Sequence, residues 1–313
     1  MIGQFLKKRA IDSDLFLTLY LQYMRIRRQR LARQARRNDP RQLIEQQHEQ
    51  KFGSKPNLNN PRTFNEKIHW RKLHQDHPLF AIGSDKAAVR QYVAETIGEE
   101  YLIPLAQIAE QPEDIRFEEL PESFIMKNTD DSGSSVLVRH KNEWTADRLI
   151  RAAKIMRARP PMYLFNRVRQ YRRIPRKTII EHLLSHDEQL PEDYKIHVFN
   201  GRVGFIQVAS PEKDSNGIYD VHWQRMGFEY HNPHLYEYER PQNLEHMLEL
   251  ALKLAAPLDY VRVDLYNIRG NIYFGELSMT SNGGLGWFRP SEYDAFWGDQ
   301  WTLARKKERS ERT

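Results

Sequence analysis

Two carboxylates, an arginine and a glycine-rich tail stand close together in the run Tyr260-Val-Arg-Val-Asp-Leu-Tyr-Asn-Ile-Arg-Gly-Asn-Ile-Tyr-Phe-Gly-Glu-Leu-Ser-Met-Thr-Ser-Asn-Gly-Gly284. β-Branched and aromatic residues flank the turn Asn267-Ile-Arg-Gly-Asn271, so the run predicts two strands joined as a hairpin. Side chains alternate along a strand, which places Arg262, Asp264 and Tyr266 on one face of the first strand and sets Tyr273 and Gly275 against Phe274 and Glu276 on the second. The pairing can then bring Asp264 and Glu276 side by side. Carboxylates beside a cation and a flexible backbone suit Mg²⁺ and phosphate, because Mg²⁺ takes hard oxygen ligands and usually shares them with substrate phosphates. A half-exposed hairpin with ordinary surface charges would carry the same residues, so the run alone leaves both readings open.

Upstream stretches offer complementary charges. Lys127 interrupts the apolar strand that begins at Phe124, and Asp130-Asp-Ser-Gly-Ser-Ser135 follows it before a second strand. The backbone N–H groups of so small-residued a loop can approach phosphate oxygens, although a plain hairpin turn reads the same way. No GxxxxGK[ST] occurs, which excludes a Walker P-loop. Arg176–Leu184 reads as a strand with Glu181 behind its apolar run. Glu192–Ser210 reads as a hairpin around Asn200-Gly201, with Asp193, Lys195, His197 and Phe199 on one face. Lys86 lies near the start of a helix predicted over Ser84–Ile97, where a positive charge opposes the helix dipole. It is either solvated or functional.

The remaining elements must position these groups. A long helix is predicted over Asp14–Arg37, capped by Asp14 and stopped by Asn38-Asp39-Pro40. Thr63 and Glu66 form a capping-box pattern ahead of the apolar face Phe64, Ile68, Trp70 and Leu73. Pro78-Leu-Phe reads as a break, and Tyr101–Leu105 as a connecting strand. Trp144–Arg159 and Tyr163–Arg173 read as helices. The Trp-, Tyr-, His- and Asn-rich segment Asp214–Pro233 reads as irregular, the kind of loop that contacts substrate. A helix near Asn243–Ala255 leads back to the hairpin.

The chain has 313 residues, enough for one large domain or two smaller ones with a substantial core. Its cysteine count of 0 excludes disulfides, thiolate metal sites and cysteine nucleophiles. Between Lys7 and Arg41 eleven Lys or Arg face three Asp, so that segment carries +8 of a net +6 and the remainder is −2. The basicity belongs to an N-terminal appendage. Its apolar first half and arginine-rich second half are too short to span a bilayer, but they suit peripheral contact of residues 7–41 with an anionic membrane, at about 1 kcal/mol per basic residue. Docking on the body with solvated arginines is the competing reading. Nucleic acid is disfavoured because the arginines are not interleaved with aromatics. With no signal-peptide pattern and no long apolar run, the expected location is cytoplasmic, with membrane association through this helix.

Taken in order, Phe64-Asn-Glu-Lys67, Ser84-Asp-Lys86, Leu102-Ile-Pro104, Asp193-Tyr-Lys195 and Arg262-Val-Asp264 with Tyr273-Phe-Gly-Glu276 resemble the TupA-like ATP-grasp family, associated with decorating bacterial surface polysaccharides such as teichuronopeptide. The likeness covers roughly residues 50–295. It implies an α+β fold in which two α+β subdomains enclose ATP between antiparallel sheets, preceded by the basic helix. The corresponding segments are 1–45, 46–120, 121–184 for the nucleotide grip and 185–313 for catalysis. It further implies activation of a carboxylate as an acyl phosphate, which an amine attacks to form an amide, the substrates being saccharide-linked. On this likeness Lys127 meets the α/β phosphates, the loop with Ser132, Gly133 and Ser134 closes over the triphosphate, and Glu181 with the backbone near Leu183 meets adenine. Lys86 is placed at the nucleotide as well. Lys195 and Arg262 are the catalytic cations, neutralising the γ-phosphate and the acyl phosphate. The likeness also implies that Asp264 and Glu276 bind Mg²⁺. The usual final Glu-x-Asn is here Glu276-Leu-Ser278, so Ser278, Asn282 or a water supplies the third oxygen.

Two other functions fit parts of the chain. A glycosyltransferase would use the aromatic segment Tyr219–Tyr238 to stack on sugars, but Asp264-Leu-Tyr266 is not an Asp-x-Asp metal motif. A non-catalytic membrane or nucleic-acid adaptor would depend on Lys7–Arg41 alone.

Overall fold

Chain-local signals account for most of the helices. The computed structural model describes residues 2–185 and 189–304. It opens with α1 (Ile2–Ala10), α2 (Asp14–Arg37) and α3 (Pro40–Phe52). The helix predicted over Asp14–Arg37 is α2 without change, although its N-cap is Ser13. Pro40 ends one helix and starts the next, because the first helical position has no use for the N–H that proline lacks. The same preference corrects the break predicted at Pro78, which instead opens α5 (Pro78–Ser84). Before it, α4 (Phe64–His74) starts on the expected capping box, with Thr63 Oγ1 accepting from the Glu66 N–H and Glu66 accepting from the Thr63 N–H. The helix predicted over Ser84–Ile97 shortens to α6 (Val89–Thr96). The Asp85 carboxylate accepts the N–H groups of Ala87 and Ala88 and holds the intervening residues as a turn.

Then come β1 (Leu105–Ala109), β2 (Phe124–Asn128), β3 (Ser135–Val138), α7 (Ala146–Arg157), α8 (Tyr163–Asn166), β4 (Thr178–His182), β5 (Asp193–Phe199), β6 (Arg202–Ala209), β7 (Asn216–Tyr219) and β8 (Glu229–Tyr230). The chain closes with α9 (Leu244–Ala255), β9 (Tyr260–Ile268), β10 (Asn271–Ser278), β11 (Phe288–Arg289) and α10 (Glu292–Asp299). The helix predicted over Tyr163–Arg173 is interrupted after α8, where Arg167 takes a left-handed φ of 58°, and resumes only as a 3₁₀ turn.

The chain divides into two units, one made of Met1–Ile44, Asp76–Pro191 and Tyr266–Glu276, the other of Glu45–Gln75, Glu192–Leu265 and Leu277–Thr313. The first contains an antiparallel sheet in the order β1-β4-β2-β3. Phe124, Met126, Val138 and Ile180 from its strands pack against Leu149 and Ala153 of α7. On α7 lie α1 and α2, through Ala10, Leu17, Tyr20, Met24 and Ile155. The other side of α2 is exposed, and its helical spacing lines up Leu15, Leu19, Tyr23 and Ile26 with Arg30, Arg33 and Arg37. Among the described residues no helix is long and apolar enough to cross a membrane.

The second unit is built on the sheet order β10-β9-β5-β6-β7, the distal part of the β9–β10 hairpin counting with the first unit. Its core is aromatic: Phe64, Phe199, Phe205, Tyr230, Tyr260, Trp297 and Trp301. A buried charge packs against it. Arg71 of α4 is 1% exposed and donates Nη1 to the carbonyls of Tyr260 and Met279, both at 2.8 Å, while its Nη2 pairs with Asp259. Removing one partner of a buried pair strands the other, at a cost of about 3–5 kcal/mol. Arg71→Met is therefore expected to lower the urea-unfolding free energy by about that amount, with the double variant Arg71→Met/Asp259→Asn recovering part of it. A wild-type unfolding midpoint for the single variant would show that the guanidinium does not hold the unit together.

Candidate active site

In the first unit the β2–β4 register pairs Ile125 with Glu181 and Lys127 with Ile179. Residues two apart share a face, so Lys127 reaches diagonally to Glu181. Lys127 Nζ donates to Glu181 Oε2 at 3.0 Å, and Arg90 Nη1 donates to Oε1 at 3.0 Å and to the Ile103 carbonyl at 3.0 Å. Glu181 is 8% exposed, so this carboxylate is buried between two cations. Half-buried Lys86 donates to the Asp131 carbonyl. Burial depresses its pKa below the ordinary lysine value, Glu276 pulls it back up, and Lys127 lowers it further. Lys127 and Arg90 thus flank Glu181, and Lys86 lies near enough to Lys127 and Glu276 to feel both charges.

The loop after β2 is pinned at its start and open at its tip. Arg176 Nε donates to both oxygens of Asp130, at 2.8 and 2.9 Å. Asp131 accepts from the Ser134 hydroxyl and lies 3.6 Å from Arg159, which also donates to the Gly133 carbonyl at 3.2 Å. Ser132 and Gly133 are exposed, and Gly133 has a φ of 78° with nothing within 4 Å of where a Cβ would stand. Such a tip can follow a ligand without steric penalty. Just past the end of β4, the Leu183 N–H donates to the Ser123 carbonyl at 3.2 Å, so that donor is committed within the chain.

In the second unit Arg262 and Asp264 do share one face of β9. Arg262 Nε and Nη2 donate to Asp264 Oδ1 and Oδ2, both at 2.6 Å, a bidentate fork. Lys195 Nζ lies 3.6 Å from Asp264 Oδ2 and is paired with Asp193. Asp193 Oδ1 is buried with no hydrogen-bond partner among the described residues. Arg262 Nη1 also donates to Ser281 Oγ at 3.3 Å, which in turn lies 3.3 Å from the Tyr230 hydroxyl. Asn282 follows in the same turn at a φ of 48°, beside Tyr230.

Among the described residues no three His, Cys, Asp or Glu converge as a metal cage. Asp264 of β9, counted with the second unit, and Glu276 of β10, counted with the first, each carry a carboxylate, a hard-oxygen donor. Either carboxylate is the donor type that Mg²⁺ takes, since that ion needs only one or two carboxylates and completes its shell with water and phosphate.

Several neighbours of these groups were not singled out by sequence. Arg90 stands four residues after Lys86, a spacing that would put both on one face of the helix predicted over Ser84–Ile97. Arg159 and Arg176 are distant in the chain and only the sheet brings them to the loop. Lys72, 3% exposed, donates to the Gly283 carbonyl at 3.0 Å, and burial lowers its pKa to about 7. The aromatic segment Asp214–Pro233 is less available to a ligand than its composition suggests. Phe228 and Tyr230 lie in the core, and Trp223 stacks on Tyr219 at 4.4 Å while its indole N–H donates to the Tyr238 carbonyl.

A family model described as TupA-like ATPgrasp matches residues 66–302. The chain belongs to the TupA-like ATP-grasp family. No curated protein matches it in sequence. Among solved structures it is similar to a D-alanine–D-alanine ligase from Bacillus anthracis complexed with ATP, at 18% identity and a TM-score of 0.37, covering 64% of this chain and 54% of that one. It is also similar to the ATP-grasp ligase PsnB complexed with a minimal precursor, Mg and ADP, at 14% identity and a TM-score of 0.40, covering 69% of this chain and 57% of that one. The chain thus spans a little over half the length of these relatives. The mixed α+β architecture with antiparallel sheets is the class that the family resemblance implies.

Two buried histidines give this TupA-like protein a pH signature. Burial drives His69 to about 2, with Lys72 and His48 adding repulsion, and drives His197 well below its ordinary value, with Arg262 adding repulsion. Folded pKa values below the unfolded ~6.5 mean that their stability contribution is full above pH ~6.5 and is lost as pH falls below it, by about 1.4 kcal/mol per pH unit per histidine. Urea midpoints should therefore fall between pH 7 and pH 5, and His69→Asn should flatten the slope. A flat wild-type profile over that interval would refute the neutral assignment.

Proposed function

We propose that this chain is an ATP- and Mg²⁺-dependent carboxylate–amine ligase whose substrates are linked to a bacterial surface polysaccharide or its precursor. The observation that carries the reading is the pair Lys127 and Arg90 held on Glu181, with Lys86 near Lys127 and bonded to the open Asp130–Ser135 loop. Cations held in place by a buried carboxylate suit the polyphosphate of a nucleotide, and membership of the ATP-grasp family supports that choice.

In this reading Lys86 and Lys127 bind the phosphates, the loop through Ser132, Gly133 and Ser134 covers them, and Glu181 with the backbone near Leu183 orients the base. The substrate carboxylate oxygen attacks the γ-phosphorus and ADP departs with the electrons of the broken P–O bond. The amine nitrogen then attacks the acyl carbon, phosphate leaves, and the nitrogen gives up a proton. Arg262 and Lys195, fixed by Asp264 and Asp193, stand ready for the charge that develops, so no reorganisation is needed in the transition state. Asp264 and Glu276, with an oxygen from Asn282 or Ser278, would hold Mg²⁺, which when bound neutralises phosphate charge. Segments 121–184 and 185–313 would serve as nucleotide grip and catalytic part. The exposed ridge of α2 would keep the enzyme at the cytoplasmic side of a membrane, with Leu15, Leu19, Tyr23 and Ile26 at the acyl boundary and Arg30, Arg33 and Arg37 on headgroups.

Thermal unfolding with ATP plus Mg²⁺ tests the proposal. At a hundredfold excess over Kd the complex should gain about 2.7 kcal/mol, a shift of a few degrees, with none from UDP-sugars. Lys127→Ala and Glu276→Gln should abolish it, and hydroxylamine should trap an acyl phosphate when a uronic acid oligosaccharide is supplied. A wild-type protein that ignores ATP overturns the proposal.

A further inference from the structure

Behind the Asp130–Ser135 loop, the first unit contains a cavity of about 340 Å³ that shares Gly133 and Ser134 with that loop. Its walls are α1, the end of α7, and the β2–β3 loop running into β3. Ile11, Val136, Ile155 and Met156 make an apolar floor, and Lys7, Lys8 and Arg159 stand around it. No carboxylate is among the lining residues described. Pockets of a few hundred Å³ with an apolar lining and a few convergent polar groups are the ordinary form of small-molecule sites. Three cations over a greasy floor select a ligand of two parts. The floor asks for an alkyl chain, and the cations ask for a group of more than one negative charge with several acceptor oxygens. Arginine takes phosphate in a fork, and lysines add point charge.

We infer that this cavity binds a phosphate monoester carrying an apolar chain, supplied either as a free alkyl phosphate or as the headgroup end of a membrane lipid. Arg159 gives such a ligand a second effect. Its guanidinium lies 3.6 Å from Asp131 and donates to the Gly133 carbonyl at 3.2 Å. A phosphate that recruits Arg159 competes with both contacts and loosens the loop tip. The consequence for nucleotide affinity rests on the ATP reading of that loop; the binding itself does not.

Isothermal titration of the full chain, without nucleotide, tests the site. Octyl phosphate below its micellar concentration should bind at least tenfold more tightly than inorganic phosphate or octyl glucoside. Lys7→Glu/Lys8→Glu, both exposed residues, should weaken octyl phosphate at least tenfold without moving the unfolding midpoint. Ser135→Trp, which fills the cavity and leaves the cations intact, should do the same. Vesicles of phosphatidylcholine containing phosphatidic acid should compete with octyl phosphate if the lipid is the source, and leave it undisturbed if the free ester is. The inference falls if octyl phosphate gives no heat, if inorganic phosphate or octyl glucoside matches it, or if both variants bind as wild type does. A wild-type protein that binds octyl phosphate but not ATP retains the cavity and loses the ligase.

Discussion

The second unit depends on one buried guanidinium. Arg71 lies buried against an aromatic core, 4.5 Å from the Trp301 ring, where an unpaired charge would be prohibitive. Desolvation lowers its pKa to about 10 and Asp259 opposes that fall, so it remains charged at neutral pH. Its donors go to Asp259, Gln75 and the carbonyls of Tyr260 and Met279. Tyr260 begins β9 and Met279 follows β10, so α4 holds both open ends of the hairpin that carries Arg262 and Asp264. Satisfying the charge and fixing the strands are the same set of hydrogen bonds.

The candidate site groups repeat this logic with a different balance. Glu181 is shared by Lys127 and Arg90, and Asp264 by Arg262 and Lys195. Each carboxylate orients two cations; Glu181 cannot fully neutralise its pair, whereas Asp193 completes the balance at Lys195. The residual positive charge is already aimed and partly desolvated, a condition in which electrostatic stabilisation of an incoming anion is strongest. The buried pairs are therefore better understood as orienting devices than as stabilising ones, since the desolvation of both partners offsets much of their attraction.

How much of this was legible in the chain follows from the range of the interactions involved. The Thr63–Glu66 capping box, the α2 helix and the Asn200-Gly201 turn are set by residues within a few positions of one another, and they appear as read. Alternation along one strand sufficed to place Arg262 beside Asp264. The failures occur where a local signal had two outcomes: Pro78 could stop a helix or start one, and the arginine-rich run after Tyr163 could continue a helix or leave it at Arg167. The aromatic segment Asp214–Pro233 looked available because composition cannot distinguish a side chain buried in a core from one offered to a ligand.

The sequence by itself determined which groups carry charge, which residues alternate on a strand, and the ordered series of motifs that marks the TupA-like ATP-grasp family. Those properties are local, or additive along the chain. Only the tertiary structure decided that Lys127 and Arg90 share Glu181, that Arg159 and Arg176 reach the loop after β2, that Lys72 is buried against Gly283, and that α1 closes a cavity over α7. Each of these pairings joins residues far apart in the chain. They exist because antiparallel strand register and helix packing bring together side chains whose letters, in isolation, are compatible with a solvated surface.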